Sequence, residues 1–372
     1  MKKILLGFIM DGKAGGLDTY LLHFIDAVWR EGVQIDLLTN QADPELKAHL
    51  KKYRCMLFEI ANLRHPLQQF RQVRYLIRRE KYDIVYLNIS TSMDLVAAFA
   101  AKSCKVPRRI LHSHSGGNDC ESRKKRLVFD GLQKICRRIL YRAGNEFYAC
   151  SKTAGYWMYP KKIVDSDAFG VIYNAVDRKN FAFAPAVREE VRKEMGLEGK
   201  FVVGHAGNFC YQKNHEFLIR VFQEIHKREP EAVLLLAGRG VRYDRIKTQV
   251  KAAGLAGCVR FLGWRKDVDR LFQAIDVFLL PSWFEGLPTV GIEAQCTGLP
   301  CVMSDSISRE VQITDRCRFL SLADAPEKWA AEVLKWKGCG REEVRYLETA
   351  KYYSLENQKE QLDKLVSGGR YE

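Results

Sequence analysis

The chain has 372 residues, 47% hydrophobic and 28% charged, which suits two folded cores and excludes a disordered or low-complexity protein. Its net charge of +15 is uneven: residues 1–173 hold 29 Lys and Arg against 17 Asp and Glu, so +12 of the excess lies in the front half and points to a polyanion, whether nucleic acid, anionic bilayer or phosphorylated substrate. The eleven cysteines include no C-x-x-C pair, which argues against a zinc site or a dithiol redox motif and leaves buried, reduced thiols of a cytosolic protein as the plain reading.

The chain opens with KKILLGFIMDG. Its apolar run is seven residues long and meets Asp11 with no small-residue cleavage site, so a first buried strand fits better than a signal peptide. No stretch reaches the roughly 18 apolar residues of a membrane span. Further strands are expected at VQIDLLT, DIVYLNI, RRILHSH and NEFYACS, separated by helical patterns such as TYLLHFIDAVWREG and FRQVRYLIRREK. The back half restarts the alternation with KFVVGHAGN, EAVLLLAG, VRFLG, DVFLLPS and LPCVMSD. Strands that are apolar on both faces belong to parallel sheets covered by helices, so the expected class is α/β, with two doubly wound domains in series. The join falls near VIYNAVDRKNFAF. The expected division is 1–177, 178–353 and a C-terminal helix over 354–372, which starts at SLENQ.

In open α/β sheets, ligands gather beyond the carboxyl ends of the strands. The first strand runs into Gly12, Gly15 and Gly16, spaced GxxGG and so not a dinucleotide fingerprint; a plain tight turn and an anion-approaching loop are both open readings. RRILHSH delivers His112 and His114 to one face, with Ser115 and two glycines following. A lone histidine is usually structural; a pair beside glycines leans towards function, and without a third ligand it does not suit a metal. Next, ESRKKRLVFDGLQKICRRILYR sets Arg123, Lys124, Lys125, Arg126, Arg137 and Arg138 around an apolar stripe of Leu127, Leu132, Ile135 and Ile139. That is a basic amphipathic helix, suited to an anionic membrane surface or, in the plainer reading, covering a core. No nucleic-acid motif accompanies the charge.

In the back half, VVGHAGNFCYQKNHEFLI places Lys213 at a helix entry after a glycine turn, well situated for phosphate oxygens. Gly238, Gly240 and Gly263 close the next two strands. DVFLLPS then delivers Glu285 and Gly286 into a turn before a helix expected from Thr289. Leu287, Thr289 and Val290 offer N–H groups to a diphosphate, and Glu293 offers paired acceptor oxygens to a ribose diol. The plain alternative for both glutamates is charge complementing a helix N-terminus.

Taken in order, these residues resemble the retaining glycosyltransferases of family 4, of the bacterial exopolysaccharide and capsule type. The resemblance rests on E-x7-E at Glu285 and Glu293 within EGLPTVGIEA, followed by TGLPCV. The early GG turn, HSH, FYACS, VIYNAVD, GNFCYQKNHEFLI, LLLAGRG, VRFLGW and YSLENQ occur in the order that the family shows. It implies a GT-B fold, with two Rossmann-like domains facing a central cleft, the acceptor in the first, the nucleotide-sugar in the second, and the last helix crossing back. It further implies that Glu293 binds ribose hydroxyls, that Glu285 with Gly286 and Leu287 holds the transferred sugar, and that Lys213 neutralises the leaving diphosphate. Gly15 and Gly16 would let the first loop approach the donor phosphates, with Gly263 also on the donor side. His114 would contact the sugar, with His112 and Ser115 in its vicinity. The donor is expected to be a UDP-sugar, the acceptor a glycan or lipid-diphosphate-linked glycan, and the place the cytoplasmic face of the membrane, with no metal. Two departures stand out: Asn208 where the family commonly has an arginine, leaving Arg239 or Arg265 as substitute cations, and Asp18 where glutamate is frequent. Two rivals are a membrane-associated binding subunit whose donor site has decayed and a sugar-nucleotide epimerase.

Overall fold

The structure, a computed structural model, describes residues 1–8, 16–341 and 344–368. It divides into two units. The first comprises Met1–Asn118, Ser122–Ala175 and the C-terminal segment from Leu355; the second comprises Asp119–Glu121 and Val176–Ser354.

The first unit alternates strands and helices: β1 (Lys2–Gly7), α1 (Gly16–Val28), β2 (Val33–Thr39), α2 (Pro44–Leu50), β3 (Leu57–Glu59), α3 (Pro66–Glu80), β4 (Ile84–Ile89), α4 (Val96–Ser103), β5 (Arg108–Ser113), α5 (Arg123–Leu140), β6 (Glu146–Ala149), α6 (Lys152–Met158), α7 (Lys161–Val164) and β7 (Phe169–Val171). The strands form one parallel sheet in the order β3-β2-β1-β4-β5-β6-β7. All six residues of β4 are buried, as a strand covered on both faces requires. One apolar layer carries Val73, Leu76, Ala97 and Ala101 from α3 and α4; the opposite layer carries Leu21, Phe24 and Ile25 from α1.

The second unit contains α8 (Pro185–Glu194), β8 (Val202–Ala206), α9 (His215–Arg228), β9 (Val233–Ala237), α10 (Tyr243–Ala252), β10 (Val259–Gly263), α11 (Val268–Ala274), β11 (Val277–Leu280), α12 (Thr289–Cys296), β12 (Cys301–Ser304), β13 (Cys317–Leu320) and α13 (Pro326–Leu334). Its sheet is also parallel, in the order β10-β9-β8-β11-β12-β13. Gly204 is required at the β8–β11 step, because a Cβ there would lie 2.1 Å from the Ile275 side chain. The last helix, α14 (Leu355–Ser367), packs in the first unit: Leu362, Leu365 and Val366 join the α1 layer, and Arg30 Nη1 donates to Asp363 Oδ1 at 2.6 Å.

Each sheet has a point where the strand order reverses, between β1 and β4 in the first and between β8 and β11 in the second. Loops leaving neighbouring strands at such a point run apart and open a crevice. None of the eleven cysteines forms a disulfide, and five are buried.

Candidate functional site

In the second unit, the loops after β8 and β11 lie side by side because those strands pair at the reversal point, Phe278 opposite Gly204. The first loop carries Gln212 and Lys213, the second Glu285. Lys213 Nζ donates to Glu285 Oε1 at 2.7 Å, and Gln212 Nε2 donates to Glu285 Oε2 at 2.7 Å. The Glu285 side chain is only 7% exposed, so both its oxygens are satisfied inside the protein. The sequence marks Lys213 and Glu285 separately; their pairing, and the part of Gln212, appear only in the structure.

The helix after Glu285 begins at Thr289 as expected, with Leu287 and Pro288 buried before it. Glu293 lies half-buried on α12. Burial lifts its carboxyl to about 7, and the charge of Lys213 pulls it back part of the way. A carboxylate near its ionisation point, with a lysine close enough to bias it, forms a polar site with little net charge to repel a diphosphate.

The loop after β9 shapes this region from the other side. Gly238 (φ +150) and Gly240 (φ +153) pass so close to the β8 loop that a Cβ on either would meet Gly207 O at 2.0 Å or Phe209 O at 2.4 Å. Phe209 N donates to Arg239 O at 2.8 Å, locking the two loops together. Gly263 ends β10 with φ +68, its carbonyl accepting from Gly238 N. Asn208 is exposed. Neither proposed substitute for the missing arginine is hydrogen-bonded to Glu285: Arg239 stacks over the Trp264 ring at 5.7 Å, and Arg265 Nε donates to Asp267 at 2.8 Å. Carboxylates take two further amides of the β8 loop, Tyr211 N donating to Glu121 Oε1 at 2.8 Å and Gln212 N to Asp119 Oδ1 at 2.7 Å.

In the first unit, Gly16 is the exposed first residue of α1, Asp18 is buried in its first turn, and Gly15 lies outside the described residues. His112 departs from the expectation of a sugar contact: it is fully buried, its Nδ1 is 2.5 Å from Tyr86 Oη, and Tyr86 Oη is 2.5 Å from Tyr20 Oη. It belongs to a core chain of polar groups. His114, just past the strand end, differs. Asn88 Nδ2 donates to Gly7 O at 3.3 Å, which turns Asn88 Oδ1 towards His114 Nε2 at 2.9 Å. The amide oxygen can only accept, so Nε2 carries the proton and Nδ1 keeps a lone pair. Among the described residues that Nδ1 has no partner. Burial holds the imidazole neutral, at about 3. Asn88 was missed in the sequence, although a polar residue near the end of an otherwise apolar strand was a signal. Ser115 closes a local turn, its Oγ donating to Gly117 O at 2.9 Å.

Helix α5 is inverted relative to an ordinary surface helix. Its buried residues are Gln133 and Leu140, whereas Leu127 is 67% exposed and Ile135 58%, with Val128, Leu132 and Ile139 also facing out. A polar clamp holds it: Ser92 N and Thr91 Oγ1 donate to Gln133 Oε1 at 2.8 Å, and Gln133 Nε2 donates to Trp157 O at 3.1 Å. Arg123, Lys124, Lys125 and Arg126 crowd its first turn, where the helix dipole disfavours cations. Arg137 donates to Tyr156 O at 2.9 Å, and Arg138 is exposed. The plainer reading, an apolar stripe covering a core, is therefore overturned.

Among the described residues, no helix is long and apolar enough to cross a membrane, and no three His, Cys, Asp or Glu side chains form a metal-binding group.

Comparison with known proteins adds the following. Residues 14–180 match the family described as Glycosyltransferase Family 4, and residues 200–336 match Glycosyl transferases group 1. A Bacillus subtilis (strain 168) protein named "Putative glycosyltransferase EpsF" is 28% identical over 343 residues, 90% of this chain and 87% of that one. The Escherichia coli UDP-Gal:alpha-D-GlcNAc-diphosphoundecaprenol alpha-1,3-galactosyltransferase is 31% identical over 62% of this chain and 59% of its own. Anabaena HepE, solved in complex with UDP-glucose, superposes with a TM-score of 0.77 at 18% identity, covering 99% of this chain and 100% of its own, a likeness of fold. One glycosyltransferase family model thus matches in each half of the chain, and the two parallel Rossmann-like sheets beneath them have the GT-B fold.

Proposed function

We propose that this protein transfers a sugar from a UDP-sugar to a hydroxyl of a lipid-diphosphate-linked glycan, with retention of anomeric configuration and without a metal, in the assembly of a cell-surface polysaccharide. The observation that carries this reading is the Lys213–Glu285–Gln212 cluster beside Glu293 where β8 and β11 meet. In this scheme Glu293 accepts hydrogen bonds from the ribose diol. Lys213 and the first N–H groups of α12 face the diphosphate, and Glu285 holds hydroxyls of the sugar. The bond from the anomeric carbon to the β-phosphate oxygen breaks, its electron pair staying on phosphate. The acceptor oxygen bonds to that carbon from the same face, and its proton passes to the phosphate oxygen. No protein carboxylate acts as nucleophile, so the residues work by orienting substrates and stabilising charge on the leaving group. Neutral His114 offers its Nδ1 lone pair to a sugar hydroxyl. The UDP-sugar complex of HepE and the E. coli relative's name, which specifies UDP-Gal and a diphosphoundecaprenol acceptor, support the choice of substrates.

We further propose that α5 rests on the anionic cytoplasmic face of the membrane. Its outward apolar stripe and basic first turn suit the headgroup boundary, and such a surface would bring a lipid-linked acceptor to the enzyme.

The test of the donor site is thermal shift against a panel of nucleoside diphosphates. At a concentration a hundredfold above Kd, a ligand adds about 2.7 kcal/mol to stability. UDP is expected to stabilise the wild type and not Glu293→Ala; no nucleotide shift at all would favour a decayed, non-catalytic binding subunit.

A further inference from the structure

The loops that bring Lys213 and Glu285 together also carry aromatic rings that the scheme above does not use. Trp283 and Phe284 directly precede Glu285, and Tyr211 precedes Gln212. The Trp283 and Tyr211 rings lie nearly parallel, at 11°, with centroids 6.1 Å apart, and Phe284 is 6.5 Å from Tyr211 at 44°. The pair is held firmly. Trp283 N donates to Gln212 O at 2.8 Å, and Gln212 Nε2 donates to Glu285. The Arg242 guanidinium sits 5.3 Å from the Tyr211 ring centroid, and its Nη1 donates to Glu216 at 2.9 Å.

Packing does not explain this arrangement. Trp283 is 41% exposed and lies outside the apolar core of its unit. What sets this indole apart is its setting: a stacked pair fixed by hydrogen bonds, on the same two loops as Lys213 and Glu285, offers a flat apolar face to a ligand. Aromatic faces carry negative charge density, and a pyranose presents a face of polarised axial C–H groups whose contact leaves its hydroxyls free at the rim. Glu285 is enclosed, so the sugar it holds is enclosed too. The exposed indole two residues earlier is left for the next ring outward.

We propose that Trp283, backed by Tyr211, is a stacking platform for a pyranose ring of the acceptor. This subsite rests on the reading of the second unit as the sugar-transferring one, and it gives that unit a share in the acceptor site that the resemblance assigns to the first. The charge around it fits a neutral ring, since Arg242 is already paired with Glu121 and Glu216.

Saturation-transfer NMR tests the proposal on the full chain, in the presence of UDP, with methyl glucosides, galactosides, mannosides and N-acetylglucosaminides as probes. At least one pyranoside is expected to receive saturation on its axial C–H protons. Trp283→Ala should abolish that signal or raise the Kd roughly tenfold, Trp283→Phe should preserve it, and the UDP thermal shift should be unchanged in both. The proposal is overturned if no pyranoside binds, if binding survives Trp283→Ala, or if the UDP shift disappears with the sugar signal, which would place the platform on the donor side. A drop in vesicle flotation with unchanged sugar binding would make the patch a membrane contact instead. Sugar binding without any UDP shift would leave the platform standing and remove the donor-site reading.

Discussion

Glu293 shows how a single residue acquires properties its identity does not give. Burial raises its carboxyl to about 7, so the unliganded site gains a proton within the physiological range. If the carboxylate accepts the ribose hydroxyls, UDP affinity should fall about tenfold between pH 8 and pH 6, and Glu293→Gln should bind weakly with no pH dependence; isothermal titration at both pH values checks this. The folded pKa lies above that of the unfolded chain, so Glu293 leaves stability intact at pH 4 and lowers it as pH rises towards 7. Glu293→Gln is therefore expected to stabilise the unliganded protein above pH 7, by up to about 3 kcal/mol, and to change little near pH 4, as read from urea midpoints. Lys213 and Glu285 behave as a unit. Lys213→Ala strands a buried carboxylate and should cost about 3 kcal/mol of folding stability, most of it recovered when Glu285→Gln is added. Additive effects in that double-mutant cycle would show that the pair is not coupled. Loss of turnover in Lys213→Ala has to be measured on protein shown to be folded.

Helix α5 makes the corresponding point for an element. Its register and charge were readable from the sequence, but which side faced the protein was not. An apolar stripe normally turns inward, and here Gln133 does so because Thr91, Ser92 and Trp157 supply polar partners for it. Replacing Arg123, Lys124, Lys125 and Arg126 with Gln should weaken flotation on phosphatidylserine vesicles by about 1 kcal/mol per charge, with little effect on neutral vesicles. Leu127→Gln with Ile135→Gln should also reduce flotation while shifting folding stability by no more than about 0.5 kcal/mol per site, because both side chains already face water. Flotation indifferent to anionic lipid would remove the membrane from the proposal. Strands follow a similar rule. The buried strands β4, β8, β9, β11 and β12 were legible as apolar runs. Two of the four edge strands, β3 and β13, were not, because LFE is short and half-exposed and CRFL carries the exposed Arg318. An edge strand needs less apolar surface than a central one and leaves a weaker trace.

Across the whole molecule, four buried imidazoles set a common response to acid. His112 and His114 in the first unit, and His205 and His215 in the second, are all driven below the ordinary histidine range, chiefly by burial. His205 Nδ1 donates to Leu279 O at 2.8 Å, and His215 stacks on Phe209 at 4.2 Å. Each is neutral when folded and takes up a proton when unfolded below about pH 6.5. Their stabilisation is complete above that pH and is lost as pH falls through their lowered folded values, about 3 for His114 and His205. Moving from pH 7.5 to pH 5 should lower unfolding free energy by on the order of 1–2 kcal/mol per imidazole, measurable by urea denaturation. An unchanged midpoint would mean that the imidazoles are not held neutral.

The sequence by itself determined the α/β class, the central strands and the residue types at their carboxyl ends. Apolar periodicity and turn chemistry are local, and each strand declares itself within a few residues. It also marked Glu285, Glu293, Lys213 and His114 as candidates by their positions after strands. Only the tertiary structure decided which of them meet. β8 and β11 are separated by two strands along the chain and adjacent in the sheet, so a lysine and a glutamate 72 residues apart share a hydrogen bond. Gln212 and Asn88, which orient Glu285 and His114, became functional candidates only when that adjacency supplied their partners. Strand order is fixed by the packing of whole layers, and no short stretch of sequence carries it.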